Sequence, residues 1–282
     1  MSEKLQKVLA RCGLGSRREL EGWIEQGRVS VNGKLATLGD RVEGNDTIRV
    51  DGRIIKHESA EDQQLRVIMY HKPAGEVCSR NDPEGRKTVF DNLPILQGMR
   101  WVQVGRLDLN TSGLLLFTTD GELAHRMMHP SNGYEREYAV RVRGEITKEK
   151  KSALLDGVLL EDGVSKFESV IDAGGAEEAA NHWYRVVLKG GKYREVRRLF
   201  ESQELEVARL IRIRFGSLTL PAQLKTGRWM DLSEEQLKQM SNSVTLKGKQ
   251  YTGLYGRARL RNQTGSDKLP RTARKTRNPP RR

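Results

Sequence analysis

One carboxylate lies beside the most apolar run of the chain. The segment GRLDLNTSGLLLFTT places Asp108 shortly after Arg106 and shortly before the apolar run at 114–117. Such a carboxylate can act as a nucleophile or a general base if it stays ionised. An apolar environment disfavours the charged form, so this chemistry requires a cation nearby. Asp, Asn, Thr and Ser also favour turns and caps, and from the residues alone a turn role for Asp108 is slightly favoured.

Other chemically suggestive patterns fail on their spacing or their neighbours. His125 and His129 are spaced like zinc ligands on a helix, but no glutamate base stands between them. The segment DLNTSG at 108–113 begins like a calcium loop, yet Thr119 occupies the position of the bidentate glutamate. The sequence has no P-loop lysine motif and no dinucleotide glycine fingerprint. We therefore expect no metal site and no cofactor.

The charge of the chain is unevenly distributed. The 282 residues carry a net charge of +13. Residues 241–282 contain twelve basic residues against one acid, Asp267, so this tail holds +11 of that charge. Residues 1–240 are close to neutral, so specific nucleic-acid recognition would depend on local clusters, while the tail attracts phosphates. Its low apolar content predicts that the tail is disordered.

The sequence also predicts where the protein is found. No apolar run approaches the roughly 18 residues of a membrane span, and the charged amphipathic start is unlike a secretory signal. Cys12 and Cys78 lie far apart without paired spacing, which is typical of small buried side chains. These features predict a cytoplasmic protein without a disulfide framework or a zinc cluster.

Residues 1–60 have the pattern of a small domain. Two helical segments come first, and Ser16 with Glu19 forms a capping box that opens the second. Alternating residues then lead into Asn32-Gly33, a strong hairpin signal. Two helices followed by a short hairpin make a compact unit.

Four arginines fall at or beside the turn between these helices: Arg11, Arg17, Arg18 and Arg28. On one surface they would suit a phosphate backbone, although an ordinary solvated helix face is the alternative. The segment LQKVLARCGLGSRRELEGWIEQGRVSVNGKLATLGDRV resembles the small RNA-binding domain named after ribosomal small-subunit protein S-four. That resemblance covers about residues 3–50 and implies that the four arginines bind RNA.

Residues 66–240 follow a polar linker at 57–65 and carry many short strand patterns and few helices. In one strand, alternation puts Tyr138 on an apolar face. In another strand, LIRIRF, alternation predicts two different faces. The apolar face is formed by Ile211, Ile213 and Phe215, and the basic face by Arg212 and Arg214. The simplest arrangement is an α+β domain with a mainly antiparallel mixed sheet.

Two helices are predicted within this domain. Thr119 with Glu122 forms a capping box for a helix that runs through Met128. The spacing of apolar residues predicts a second helix over 192–203, with Tyr193 on its apolar stripe.

The segment GRLDLNTSGLLLFTTDGELAHRMMHP resembles the catalytic signature of the pseudouridine synthases. Three further segments match that family in order: HKPAGEVCSRNDPEGRKTVFDNLP at 71–94, EREYAVRVRGEI at 135–146 and GKYREVRRLF at 191–200. The likeness is to the branch that modifies ribosomal RNA and carries the S-four-type domain, and within it to the enzymes of the large subunit (23S RNA). It implies an enzyme that isomerises uridine to pseudouridine without a cofactor.

The same resemblance implies roles for individual residues. Asp108 would be the catalytic carboxylate, acting on the sugar or the base, and Arg197 would keep it ionised through a charge-assisted hydrogen bond. Tyr138 matches the tyrosine that stacks on the target base, which must be flipped out of its duplex; a core aromatic is the alternative. Arg106 matches the residue that enters the space in the RNA that the flipped base leaves.

Several features receive no catalytic role, and other functions stay open. Lys72 and Pro73 belong to the first matching segment and are taken as scaffold, and Glu195 stands where relatives often have glutamine.

The same reaction on small-subunit RNA is one alternative function, and a non-catalytic RNA-binding ribosome-assembly factor is another. A methyltransferase or a nuclease lacks support from any donor-binding or metal-ligand pattern. We expect the partner to be a ribosomal RNA hairpin, in bare or partly assembled large subunits, with no membrane contact and a monomeric protein.

Overall fold

The computed structural model describes residues 2–57, 65–174 and 181–243, with side chains as far as residue 240. Most of the predicted linker and nearly all of the predicted disordered tail lie outside the described residues. The described elements form one small group before the linker and one larger group after it.

The group before the linker contains the predicted pair of helices and the predicted hairpin, together with four further short strands. Its elements are β1 (Glu3–Lys4), α1 (Leu5–Arg11), α2 (Arg17–Glu25), β2 (Val29–Val31), β3 (Lys34–Leu35), β4 (Arg41–Val42), β5 (Ile48–Val50) and β6 (Arg53–Ile55). The capping box is confirmed, because Ser16 Oγ accepts from the Glu19 N–H while Glu19 Oε2 accepts from the Ser16 N–H, both at 3.2 Å. Asn32 and Gly33 join β2 to β3 with φ of 50° and 81°, the left-handed pair that this hairpin requires.

The group after the linker is built around one large sheet. Its strands are β7 (Val67–Lys72), β8 (Val102–Val104), β9 (Thr111–Thr118), β10 (Arg136–Arg143), β11 (Val158–Leu160), β12 (Gly163–Ser165), β13 (Ser169–Gly174), β14 (Asn181–Leu188), β15 (Glu206–Phe215), β16 (Leu218–Thr219) and β17 (Trp229–Asp231). Its helices are α3 (Gly121–Met128), α4 (Lys148–Asp156), α5 (Glu195–Glu201) and α6 (Glu234–Ser243), with a 3₁₀ turn at Pro130–Asn132.

The sheet confirms the predicted α+β class with mainly antiparallel pairing. Its strand order is β13-β14-β10-β15-β9-β7-β17, with β16 beside β15 and β8 beside β9, and the hairpin of β11 and β12 is separate. Among the described strands of this sheet, only β9 and β15 run parallel to each other. The sheet is therefore mixed at its centre.

The apolar run 114–117 is explained by a sheet that is covered on both faces. Leu114 and Leu116 of β9 enter one core cluster, whereas Leu115 and Phe117 enter the other, and all four are fully buried. A central strand with two covered faces needs continuous apolar residues rather than alternation.

The predicted alternation is correct for β10 and wrong for β15. Tyr138 of β10 lies on the buried face as expected. In β15, however, Arg212 is only 2% exposed, whereas Ile211 and Ile213 are partly exposed. The cause is a bulge in the pairing, because Glu137 pairs with Arg214 while the next residue of β10 pairs with Arg212. The extra residue, Ile213, puts Arg212 on the same face as Phe215, although strict alternation would place them on opposite faces.

Both helix predictions need correction at the N-terminus. Asp120, not Thr119, caps α3, and its Oδ1 accepts from the Glu122 and Leu123 N–H groups at 2.7 and 3.3 Å. The Thr119 hydroxyl instead accepts from the Arg66 N–H.

The helix predicted over 192–203 begins at Glu195 because Arg194 has a left-handed backbone, with φ of 48°. Tyr193 therefore precedes the helix. Its side chain is 74% exposed instead of packed on the apolar stripe.

The parallel pair at the centre of the sheet depends on Gly113. This residue has φ of 110°, and a Cβ atom there would lie 2.3 Å from the carbonyl oxygen of Arg212 and 2.6 Å from its nitrogen. Both contacts are with main-chain atoms, which cannot move without disturbing the ladder. Glycine is thus required where β9 meets β15.

The start of β9 is also fixed by the side chain of Lys72, which is fully buried at the end of β7. Its Nζ donates to the main-chain carbonyls of Pro73, Asp108, Leu109 and Thr111 at 2.9, 3.1, 3.3 and 2.9 Å. The three ammonium protons are shared among these four acceptors. Burial lowers the pKa of Lys72, and electrostatic interactions with Cys78, Glu76 and Asp108 partly oppose this effect. The loop therefore closes around a buried cation that is neutralised by carbonyl dipoles.

We expect Gly113→Ala to destabilise the protein by roughly 3 kcal/mol or more, because a left-handed non-glycine residue and an overpacked contact each cost about 1–3 kcal/mol. Gly85→Ala is the matched control, because Gly85 also has a positive φ but has open space around its Cβ position. Denaturant unfolding of both variants measures the difference. Equal midpoints would contradict the importance of the close approach.

We expect Lys72→Met to lower the free energy of unfolding by at least 1–3 kcal/mol, on the order of the cost of leaving buried carbonyls without donors. Lys87→Met removes an exposed lysine and is the control. The free energies come from urea titrations monitored by tryptophan fluorescence. If the two variants unfold at the same urea concentration, the ammonium does not hold the loop.

Candidate active site

The loop before β9 presents Asp108 at the edge of the sheet. Its main-chain carbonyl accepts from Lys72 Nζ and from the Thr111 N–H, the latter at 3.0 Å. Its carboxylate is partly exposed and lines a cleft. Within the described part of the chain, the carboxylate forms no ion pair and no side-chain hydrogen bond. The main chain is thus fixed, while the acid itself is open to a ligand.

The cleft beside Asp108 has a volume of about 880 Å³. Along its described lining, arginine and lysine side chains outnumber carboxylates eight to two, and the two acids are Asp108 and Glu195. A concave surface with this excess of positive charge attracts an anionic chain such as a nucleic acid.

Tyr138 lies in the wall of this cleft and is 8% exposed. It belongs to the same core cluster as Val140 and Val142 of β10. Among the described residues, its hydroxyl has no hydrogen-bond partner. The ring therefore packs as a core aromatic and still borders the cleft.

Arg197 lies on α5 but does not form the hydrogen bond to Asp108 that the sequence led us to expect. Its Nη1 donates to the Val207 carbonyl at 2.9 Å and its Nη2 to the Asn110 carbonyl at 3.1 Å, while its buried Nε has no partner within the described chain. Burial, aided by the charge of Arg194, lowers the pKa of Arg197, whereas the charge of Asp108 opposes this. Arg197 therefore contacts the loop that carries Asp108, and the charges of the two side chains interact without a hydrogen bond between them.

Arg106 is exposed at the cleft. It has no hydrogen bond or ion pair among the described residues. Its guanidinium is thus available to a bound molecule, as a residue that contacts RNA must be.

The small N-terminal group reaches this cleft. Arg100 Nη1 donates to the Gly15 carbonyl at 2.6 Å, and Ser16 contributes to the lining. Burial lowers the pKa of Arg100, and the charges of Arg80 and Arg17 add to this effect while Glu19 opposes it. The start of α2 is therefore close to the arginines of the cleft.

The four predicted RNA-binding arginines differ in what they contact. Arg17 and Arg18 are exposed and form no ion pair with any acid of the described chain. Arg11 forms an ion pair with Glu3.

Arg28 donates to both carboxylate oxygens of Asp51, at 2.9 and 2.6 Å, and its guanidinium lies 4.4 Å from the Trp23 ring centroid. Two of the four predicted arginines are thus engaged within the domain, and two point to solvent.

Two further cleft residues, Arg136 and Arg212, were missed by sequence reasoning. The alternation in β15 predicts a basic face for Arg212, opposite the apolar one, because a bulge leaves no signal in the pattern. Arg136 lies two residues before Tyr138 in a matching segment, and that spacing was the available signal. Glu195, which was given no role, is buried, and its Oε2 accepts from the Lys192 N–H at 3.0 Å.

The described ranges contain no group of three or more His, Cys, Asp or Glu side chains placed to hold a metal ion. The rings of His125 and His129 lie 5.7 Å apart between centroids, and His129 Nδ1 contacts the Ser131 hydroxyl at 2.7 Å. No helix in these ranges combines the length and the apolar character needed to cross a bilayer.

Comparison with known proteins identifies both parts of the chain. The family model of RNA pseudouridylate synthases matches residues 66–202, and that of the S4 domain matches residues 3–48. The chain is 55% identical over 259 residues to the ribosomal large subunit pseudouridine synthase B of Pseudomonas aeruginosa, covering 92% of this chain and 67% of that protein. Identity to the protein of the same name from Vibrio cholerae is 53% over 280 residues, covering 98% and 87%.

A solved structure supports the same assignment. The crystal structure of a pseudouridylate synthase superposes with a TM-score of 0.59 at 25% identity, covering 84% of this chain and 99% of that one. With these relatives, and with an acid beside a basic cleft, the chain belongs to the RNA pseudouridylate synthase family.

Proposed function

We propose that this protein isomerises a uridine to pseudouridine in the RNA of the large (23S) ribosomal subunit. The relatives at 53–55% identity carry that activity in their names. The observation that carries the proposal is the open Asp108 carboxylate, held by a clamped loop at the edge of a basic cleft. The reaction breaks the bond between C1′ and N1 and forms one between C1′ and C5. The proton lost from C5 is balanced by one gained at N1, so no cofactor is consumed.

Each cleft residue has a distinct part in this proposal. Asp108 is the catalytic carboxylate that acts on the sugar or the base, and Tyr138 packs against the flipped base. Arg197 keeps the field around Asp108 positive and holds its loop. Arg106 fills the space that the base vacates in the RNA. Water exclusion by the base and the Tyr138 ring strengthens each of these interactions.

The N-terminal S4 domain supplies the wider RNA contact. Arg17 and Arg18 are exposed at the start of α2, and the charge of Arg17 acts on Arg100 of the cleft. Arg11 and Arg28, which are paired with Glu3 and Asp51, are the other two RNA contacts in this proposal. We place residues 1–60 in this domain, residues 66–240 in the catalytic domain, and the basic residues 241–282 in a tail that attracts phosphates. The substrate in this proposal is a hairpin of bare or partly assembled large-subunit RNA, and the enzyme acts as a cytoplasmic monomer.

We expect Asp108→Asn to lower the rate of pseudouridine formation by at least 10²–10⁴-fold, roughly the contribution of one positioned acid or base. Affinity for RNA should change less than about threefold, because removing one partly exposed negative charge does not weaken phosphate contacts. Pseudouridine is quantified by mass spectrometry in large-subunit RNA incubated with purified protein.

Asp156→Asn, which alters an exposed carboxylate at the end of α4, is the control for this substitution. Wild-type product formation by Asp108→Asn would refute the catalytic assignment. Wild-type protein that binds large-subunit RNA but modifies none of its uridines would favour the assembly-factor alternative, and product in small-subunit RNA alone would change the substrate.

We expect the double variant Arg17→Gln/Arg18→Gln to weaken RNA binding and to flatten its salt dependence. The slope of log K against log salt should fall by about one for each arginine that binds a phosphate in the wild-type protein. Fluorescence anisotropy of labelled large-subunit RNA at several KCl concentrations gives this slope. Lys34→Gln/Arg53→Gln removes two exposed charges from strands of the same domain and serves as the charge-matched control. Identical slopes for the two double variants would contradict a specific contact at the start of α2.

A further inference from the structure

Two arginines in the cleft converge on one aromatic ring. The Cζ atoms of Arg136 and Arg212 lie 5.2 and 5.3 Å from the ring centroid of Phe215. Arg136 belongs to β10, and Arg212 and Phe215 belong to the neighbouring strand β15. All three side chains line the cleft.

Neither guanidinium is neutralised by an acid of the described chain. Arg136 makes all of its hydrogen bonds through Nη1, to the carbonyls of Tyr134, Lys189 and Gly190 at 2.9, 2.8 and 2.6 Å. Its Nε and Nη2 have no hydrogen-bond partner among the described residues. Phosphate oxygens are the usual partners of a guanidinium edge left open in this way.

Arg212 is more deeply buried than Arg136, and its guanidinium also has an N–H group without a hydrogen-bond partner in the described chain. It is 2% exposed, its Nε donates to the Leu114 carbonyl at 2.8 Å, and its buried Nη2 has no partner in the described chain. A buried guanidinium with an unsatisfied N–H group is unfavourable unless a ligand accepts a hydrogen bond from that group.

The electrostatic environment favours an anion between the two arginines. Burial lowers the pKa of Arg136 and the positive charge of Arg212 adds to this effect, whereas Tyr138 and Glu195 oppose it. Glu195 accepts from the Lys192 N–H and forms no ion pair with Arg136. A single negative charge bound by both guanidiniums would remove their mutual repulsion.

The location of the pair indicates which anion this is. Tyr138 pairs with Arg212 across the strands and lies two residues after Arg136 in β10. A nucleotide whose base lies against Tyr138 would therefore be a close neighbour of both arginines. RNA offers one negative charge per phosphate, with oxygens that accept bidentate bonds from arginine.

We infer that Arg136 and Arg212 together form a subsite for one phosphate of the RNA, next to the nucleotide whose base packs against Tyr138. The inference rests on the proposed function and adds to it a binding role for two residues other than Asp108, Tyr138, Arg197 and Arg106. Arg136 and Arg212 bind the substrate in both its initial and its reacting states, so they contribute mainly to affinity.

The test compares Arg136→Gln, Arg212→Gln and the double variant with two controls. The controls are Arg141→Gln and Arg209→Gln. These two exposed arginines lie opposite each other on β10 and β15, the strands that carry Arg136 and Arg212. Equilibrium binding to large-subunit RNA is measured across KCl concentrations, and KM and kcat are measured on the same RNA. Circular dichroism and melting temperature establish that each variant is folded.

Each single variant should reduce the slope of log K against log salt by about 0.7–1. KM should rise roughly tenfold or more, with a smaller change in kcat, because the contact is made before and during the reaction. The slope of the double variant should fall no further than that of either single variant, since both side chains hold the same phosphate. The controls should leave slope and KM near the wild-type values.

Arg212→Lys provides a second measurement if Arg212→Gln does not fold. It retains the charge, so its slope should stay near the wild-type value while KM rises, because an ammonium lacks the planar fork. Unchanged slopes in the glutamine variants, or additive reductions in the double variant, would overturn a shared phosphate site. The slopes do not require turnover, so wild-type protein that binds this RNA without modifying it would refute the proposed function and still leave the phosphate site testable.

Discussion

The buried ammonium of Lys72 is the interaction on which the geometry of the site depends. It lies at the end of β7 and gathers carbonyls from both sides of the loop that carries Asp108. A buried charge is unfavourable unless its protons are satisfied, so the loop must close around it. Because carbonyl groups rather than a carboxylate neutralise the lysine, Asp108 stays outside any ion pair within the described part of the chain. The same contact that stabilises the loop thus leaves its acid available.

Arg197 follows the same pattern. Its guanidinium donates to main-chain carbonyls of the Asp108 loop and of β15, so it joins two elements and still contributes positive charge near Asp108. A direct ion pair would have to be broken before the carboxylate could act on a substrate. In the proposed reaction, positioning through the main chain would avoid that step and keep the carboxylate in place before RNA binds.

The distribution of charge explains how a nearly neutral folded region can bind RNA. Positive side chains are concentrated in the cleft and at the seam with the S4 domain, where Arg100 contacts the Gly15 carbonyl. The charges of neighbouring arginines add to the burial that lowers the pKa of Arg100 and of Arg136, so these cations repel their neighbours in the free protein. Phosphate groups would relieve that repulsion. Affinity for RNA is therefore set by local clustering more than by net charge.

The sequence by itself determined the two-part organisation, the α+β class, the capping box at Ser16, the Asn32-Gly33 hairpin and the prominence of Asp108, because short-range patterns encode these features. It misassigned the N-cap of α3 to Thr119, since Asp120 beside it has the same capping chemistry. Only the tertiary structure decided that Arg212 is buried, that Tyr193 is exposed and that Arg197 contacts carbonyls instead of Asp108. Those outcomes depend on a bulge between β10 and β15, on the left-handed backbone of Arg194 and on the positions of carbonyls distant in sequence, and no local pattern specifies such long-range geometry.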